Sequence, residues 1–186
     1  MTRKLILTTI LFALAVPALA AEPATKAAAP PAGLRAELLT LLDDSAKKVI
    51  ELAEAVPQEK YAWRPSEGVR SMSEVFMHIA GGNYFLPTFL GMQAPADMTQ
   101  EMEKETDKAK VVAALKKSYE HARKAIEAVP DAELEKKINL FGRDTTSRAA
   151  LLVLVNHSHE HLGQAIAYAR MNGVVPPWTA RAPAGG

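Results

Sequence analysis

The chain has 186 residues, 22 Lys and Arg against 21 Asp and Glu, and no cysteine. A balance this close to neutral carries no electrostatic footprint for nucleic acid, and the missing thiols exclude cysteine nucleophiles, cysteine metal ligands and disulfide staples, so stability has to come from packing. The length suits one domain around a single sizeable core.

Arg3-Lys4, an apolar run over residues 5–16 and then Pro17-Ala18-Leu19-Ala20-Ala21 predict an export signal over residues 1–20. A basic start, a short apolar stretch and small residues at Ala18 and Ala20 fit cleavage after Ala20, and the run is too short for a comfortable membrane span. An uncleaved anchor is the alternative. Cleavage removes Arg3 and Lys4 and no acid, which turns the formal net charge from +1 to −1. The expected mature protein is exported, periplasmic or secreted, and has no membrane partner. Residues 21–32 hold three prolines and no large apolar side chain and read as a flexible tether.

The domain is expected over residues 33–178. Leu34, Leu38, Leu42, Ser45, Val49, Leu52 and Val56 recur at helical spacing, which predicts a first helix over Leu34–Ala55 stopped by Pro57. Residues 61–70 form a connection punctuated by Pro65 and Gly68, with Trp63 expected to plug the end of a bundle. Ser71-Met72-Ser73-Glu74 has the spacing of a capping box and opens a second helix towards Leu86 and Pro87. Its inward face carries His78 among apolar residues. Gly81-Gly82 is costly inside a helix, which implies either a packing or access requirement or a local helix break.

Residues 91–106 are polar, broken by Pro95, and read as a long loop or a lid. A third helix is expected over residues 107–129, with Val111, Leu115, Ala122 and Ile126 on one face. His121 stands among Glu120, Arg123 and Lys124 and reads as a solvated surface histidine. A short acidic turn starts at Pro130, and residues 138–144 read as a loop. Thr145, Thr146 or Ser147 can cap the fourth helix, which is expected to end near Asn172 with Gly173 as its stop. Residues 179–186 read as a disordered tail.

No convincing strand is evident, so the fold class is all-α, a four-helix bundle. Tight links between helices one and two and between three and four suggest two hairpins joined by a crossover. The fourth helix is apolar nearly all round. Leu151, Leu152, Val155, Leu162 and Ile166 lie off its histidine stripe, which suggests a homodimer through that second face.

Residues four apart on a helix stand one above the other, so His157 and His161 can aim their rings at one small volume. Ala150, Val153, Leu154, Gln164 and Tyr168 share that stripe. His159 is rotated roughly 200° from His157 and is not a natural third ligand. Together with His78 on another inward face, the pair suggests a divalent metal site. The Glu that follows the first histidine in zinc proteases is absent, since Ser158 stands there, so that scheme of hydrolysis is not supported.

Tyr61-Ala62-Trp63-Arg64-Pro65, then Ser71-x-x-Glu74-x-x-x-His78, then His157-x-x-x-His161-Leu162-Gly163-Gln164 with Tyr168-x-Arg170-x-x-Gly173 and Pro176-Pro177 resembles the DinB-like superfamily of small metal-binding helical bundles. The resemblance implies a four-helix bundle, commonly dimeric, holding a divalent ion through His78, His157 and His161. Zinc is the first expectation, with nickel, iron or manganese as alternatives. Gln164 and Tyr168 are candidates to orient a ligand, or else an interhelical hydrogen bonder and a core residue. Glu74 reads as the cap residue, one turn from His78 and so also a candidate support for it.

Two functions follow. One is a metal-dependent enzyme acting on a small molecule, a hydrolase or a thiol-dependent transferase. The other is a non-catalytic metal- or small-ligand-binding bundle with a stress-related role.

Overall fold

The computed structural model describes residues 33–181, apart from Asp97 and the side chain of Gln100. The expected signal, the tether and residues 182–186 lie outside the described residues.

Four long helices carry the domain: α1 Leu34–Ala55, α2 Met72–Phe85, α3 Lys108–Ala128 and α4 Ser147–Met171. Leu38, Leu42, Val49 and Leu52 of α1 are buried, as the spacing predicts, and each contributes roughly 1.5–3 kcal/mol by leaving water. The capping box at α2 forms as expected. Glu74 N–H donates to Ser71 Oγ at 3.3 Å, and Ser71 N–H donates to the Glu74 carboxylate at 2.6 Å. Asp107 caps α3 and Thr146 caps α4 by the same chemistry. Trp63 packs against the core, and the connection that carries it folds back on the start of α2 through Met72 N–H to Trp63 O.

The helices do not form two hairpins. Helix α1 packs on α3 and α4, and α2 packs on the same two, so α1 faces α2 across the bundle. The α1–α2 connection therefore spans a diagonal, as does the one from α3 to α4. Short sequence separation had suggested neighbours, but the folded-back segment around Tyr61 to Ser73 has the reach to cross.

Residues 138–144 are not simply a loop. Lys137–Leu140 (β1) and Arg143–Thr146 (β2) pair antiparallel, Leu140 opposite Arg143. Phe141 and Gly142 form the turn with φ of 52° and 80°, the left-handed pair of a two-residue hairpin. Glycine takes this conformation freely; for phenylalanine it costs about 1–2 kcal/mol.

Two further expectations change. Leu151, Val155 and Leu162 are buried within the chain's own core, because α4 is flanked by α1, α2 and the hairpin and so needs a wide apolar arc. Most of the face read as a dimer surface is thus covered from inside, leaving Leu152 exposed and Ile166 partly buried. Part of the expected tail is ordered: Pro177–Ala180 forms a short helix, α5, and Arg181 pairs with Glu51 at 2.7 Å. Among the described residues no helix is long and apolar enough to cross a membrane.

Candidate metal centre

Helices α2 and α4 lie side by side, and their facing surfaces bring His78, His157 and His161 together. One ring nitrogen from each lies within 4.8 Å of the others. His78 and His157 approach through their Nε2 atoms at 3.3 Å. The His161 ring stands edge-on to both others, with centroids 4.6 Å away. Gly82 explains how α2 comes so close. A Cβ built there would overlap the His157 ring, while Gly81 meets nothing. The helix runs unbroken through both glycines, so at Gly82 the packing requirement, not a helix break, accounts for the residue.

The outer nitrogens of two rings are tied down. His78 Nδ1 meets Glu103 Oε1 at 2.8 Å, and His161 Nδ1 meets Gln164 Oε1 at 2.9 Å. A carboxylate and an amide oxygen can only accept here, so both Nδ1 atoms carry a proton, and Nε2 is the atom of each ring that can offer a lone pair to an ion. His157 Nδ1 is buried with no hydrogen-bond partner, and contact with Gly82 holds its ring.

Burial, with positive charge on His161, His78 and Arg70 adding to it, pushes the His157 imidazolium down to about 4. Burial also holds His78 below its ordinary range, against the Glu103 carboxylate, which favours the charged form. Both rings are therefore neutral near pH 7, the form that ligates metals.

Lone pairs that face each other at 3.3 Å repel unless a proton or a cation lies between them. Zinc–nitrogen bonds of about 2.0–2.1 Å in a tetrahedral site set ligand atoms roughly 3.3–3.4 Å apart, so the His78–His157 spacing fits an ion without rearrangement. His78 and His157 line an open cleft of about 810 Å³ between α2, α4, the 91–106 segment and the hairpin tip, and His161 stands against both rings.

The remaining candidates sort by contact. Gln164 touches His161 directly and donates through Nε2 to the Tyr168 hydroxyl at 3.1 Å, so Tyr168 acts only through Gln164. Glu74 does not support His78: one carboxylate oxygen accepts from Ser71 N–H and the other from Arg64 at 3.1 Å, and these contacts hold it well below the usual carboxylate range. Glu103 takes that place. Sequence reading missed it because it lies in a proline-broken segment with no periodic signal, 25 residues from His78. His159 stands apart from the cluster, its Nδ1 donating to Val155 O at 3.0 Å. His121 is not a solvated surface residue. Its ring packs edge-on against Tyr84 and is half-buried, since α3 turns that position towards α2.

The fold and this histidine floor define a class: small helical bundles with a constellation of metal-ligating geometry between two helices. The chain belongs to the DinB superfamily, whose model matches residues 22–165. YjoA of Bacillus subtilis (strain 168) is 32% identical over 129 residues, 66% of this chain and 80% of that protein. The crystal structure of that DinB-like protein superposes with a TM-score of 0.60 at 22% identity, covering 75% of this chain and 93% of the other. A DinB-like protein from Bacillus cereus ATCC 10987 gives a TM-score of 0.67 at 17% identity, with the same coverage. YfiT from Bacillus subtilis, described as a probable metal-dependent hydrolase with an unusual four-helix bundle topology, gives 0.61 at 15% identity over 83% of this chain and 95% of that one. At these identities the solved structures establish the shared fold.

Proposed function

We propose that the protein is an exported, metal-dependent hydrolase of a small molecule, with one divalent ion, zinc in the first instance, held by Nε2 of His78, His157 and His161. The observation that carries this reading is the convergence of three imidazoles, His78 and His157 of them lining an open cleft, with the outer nitrogens of His78 and His161 fixed by Glu103 and Gln164. Three neutral ligands leave an ion its full charge and an open position, and the ion supplies Lewis acidity at that position.

The chain's own residues do the rest. Glu103 Oε1 holds the Nδ1 proton of His78 and so presents its Nε2 lone pair; Gln164 does the same for His161. Gly81 and Gly82 keep the floor free of side chains. Arg70 lines the cleft and pairs with Glu103 at 3.4 Å, which places a cation beside the spot where an anionic group of the substrate would lie. Hydrolysis suits an exported protein because water is its only co-substrate. The description of YfiT supports the same choice of chemistry.

The test is elemental analysis of the mature protein purified without chelators, followed by turnover of a panel of esters, amides and lactones. The expected result is about one ion per chain and an activity that chelation removes and metal restores. Full metal occupancy in His78→Ala would overturn the ligand assignment.

A further inference from the structure

The hairpin tip is built at a cost that its own stability does not explain. A two-residue turn with both φ values positive favours Asn-Gly or Asp-Gly; here the first position is Phe141, at φ 52°. A bulky side chain in that region is an outlier that points to a requirement elsewhere. Hydrophobic burial within the chain does not supply it, since Phe141 remains 59% exposed. Phe141 lies instead at the end of an aromatic row, 5.0 Å from Phe89 and 6.2 Å from Phe85 between ring centroids, with Phe85 itself 42% exposed.

The turn is also held in place. Asn139 Oδ1 accepts from Gly142 N–H at 2.9 Å, and Asn139 Nδ2 donates to Asp144 at 3.0 Å. Phe141 is thus fixed as part of the wall, together with Phe85, Val153 and Met102, of the same cleft that His78 and His157 line.

We propose that this wall receives the flat apolar body of the ligand, an aromatic ring in the plainest case, and that Phe141 is the residue that selects it. The ligand class is a small aromatic molecule with an anionic head: the ring lies against Phe141 and Phe85, and the head reaches down to Arg70 and the histidine floor. The head's destination rests on the metal reading above; the wall's role does not. Pockets of this kind combine apolar walls that supply affinity with a few polar groups that set orientation, and aromatic rings favour one another in tilted or edge-on arrangements.

The experiment has two arms. In the first, metal-loaded protein is titrated with benzohydroxamate and acetohydroxamate, which share a metal-ligating head and differ in the ring. In the second, chelated protein is titrated with 2-naphthoate and binding is read by fluorescence. Both arms are repeated on Phe141→Asn, which suits the turn better than phenylalanine, and on Phe85→Ala. Benzohydroxamate is expected to bind at least about tenfold more tightly than acetohydroxamate, and Phe141→Asn to lose about fivefold of that advantage with metal content unchanged. Naphthoate is expected to bind the chelated parent and to bind Phe141→Asn at least about fivefold less tightly.

If the protein takes up no metal, the metal reading fails and the naphthoate arm alone decides the wall. Naphthoate affinity that neither substitution changes overturns the proposal. A dimer seen in sedimentation that Phe141→Asn abolishes assigns the patch to a second copy and overturns it as well.

Discussion

His157 and Ser158 are consecutive on α4 and face two different interiors. Ser158 is fully buried, with Ser45 Oγ at 2.9 Å and the Tyr119 hydroxyl at 2.6 Å. Ser45 donates onward to Leu42 O, so one assignment lets every hydroxyl donate once: Tyr119 to Ser158, Ser158 to Ser45, Ser45 to the backbone. Burial pushes the Tyr119 hydroxyl up to about 12, against its bonds to Ser158 and Ser45. Next door, the Nε2 atoms of His157 and His78 are aimed at each other and His157 Nδ1 has no partner. Polar groups that close on themselves hold a fold together. Polar groups that converge and still leave a buried nitrogen, His157 Nδ1, without a partner call for something the chain does not contain.

This contrast can be broken from either side. The largest expected effect is on metal binding: His157→Ala or His78→Ala lowers affinity by more than about a thousandfold, measured by competition with a chelator, while the urea midpoint of the metal-free protein stays level or rises. A parallel loss of stability would mean that the histidines belong to the core. Glu103→Gln keeps the size and shape of the side chain but weakens its hold on His78 Nδ1, and should lower metal affinity about 10–100-fold. Ser158→Ala acts on the other interior. It removes the hydroxyl that links Tyr119 to Ser45 and should cost about 1–2 kcal/mol in urea unfolding, with metal content per folded chain unchanged.

Acid sharpens the same contrast. In metal-free protein the folded chain keeps His157 neutral down to about 4, whereas the unfolded chain takes up that proton near 6.5. The contribution is complete above about 6.5, falls by up to about tenfold in the folding equilibrium per pH unit below it, and levels off below about 4. Denaturation curves of chelated parent and His157→Ala between these limits should differ in slope. The smallest effect is expected from His159→Ala, which should leave metal affinity within about threefold of the parent, since its ring bonds to its own helix.

Much of this was legible in the sequence. The bounds of α1, the capping box of α2 and the shared face of His157 and His161 are local properties, set by spacing and side-chain chemistry over a few residues. What was hidden depends on which elements meet. Helix order across the bundle is not encoded in loop length alone. β1 alternates Lys-Ile-Asn-Leu over only four residues, β2 (Arg-Asp-Thr-Thr) has no apolar residue to answer it, and Phe-Gly is an unusual turn pair. Glu103 acquires its role only when its segment folds over α2. The all-round apolar character of α4 was read as a surface for a second copy because the packing of both α1 and α2 against it could not be foreseen from loop lengths. The choice at Gly81-Gly82 was settled for Gly82 by a ring from another helix.

Trp63 offers a further consequence. Its ring stands edge-on to Tyr168, centroids 5.4 Å apart; the Tyr168 hydroxyl accepts from Gln164, and Gln164 accepts from His161. An indole at the end of the bundle is thus three contacts from a proposed ligand ring, on a segment joined to the start of α2 by its own carbonyl. Loading the site fixes His161, then the amide, then the phenol, and alters what the indole sees. The emission of Trp63 should therefore report occupancy in real time without any label, with Trp178→Phe removing the other source of signal, and Gln164→Ala should silence the report while leaving the indole in place.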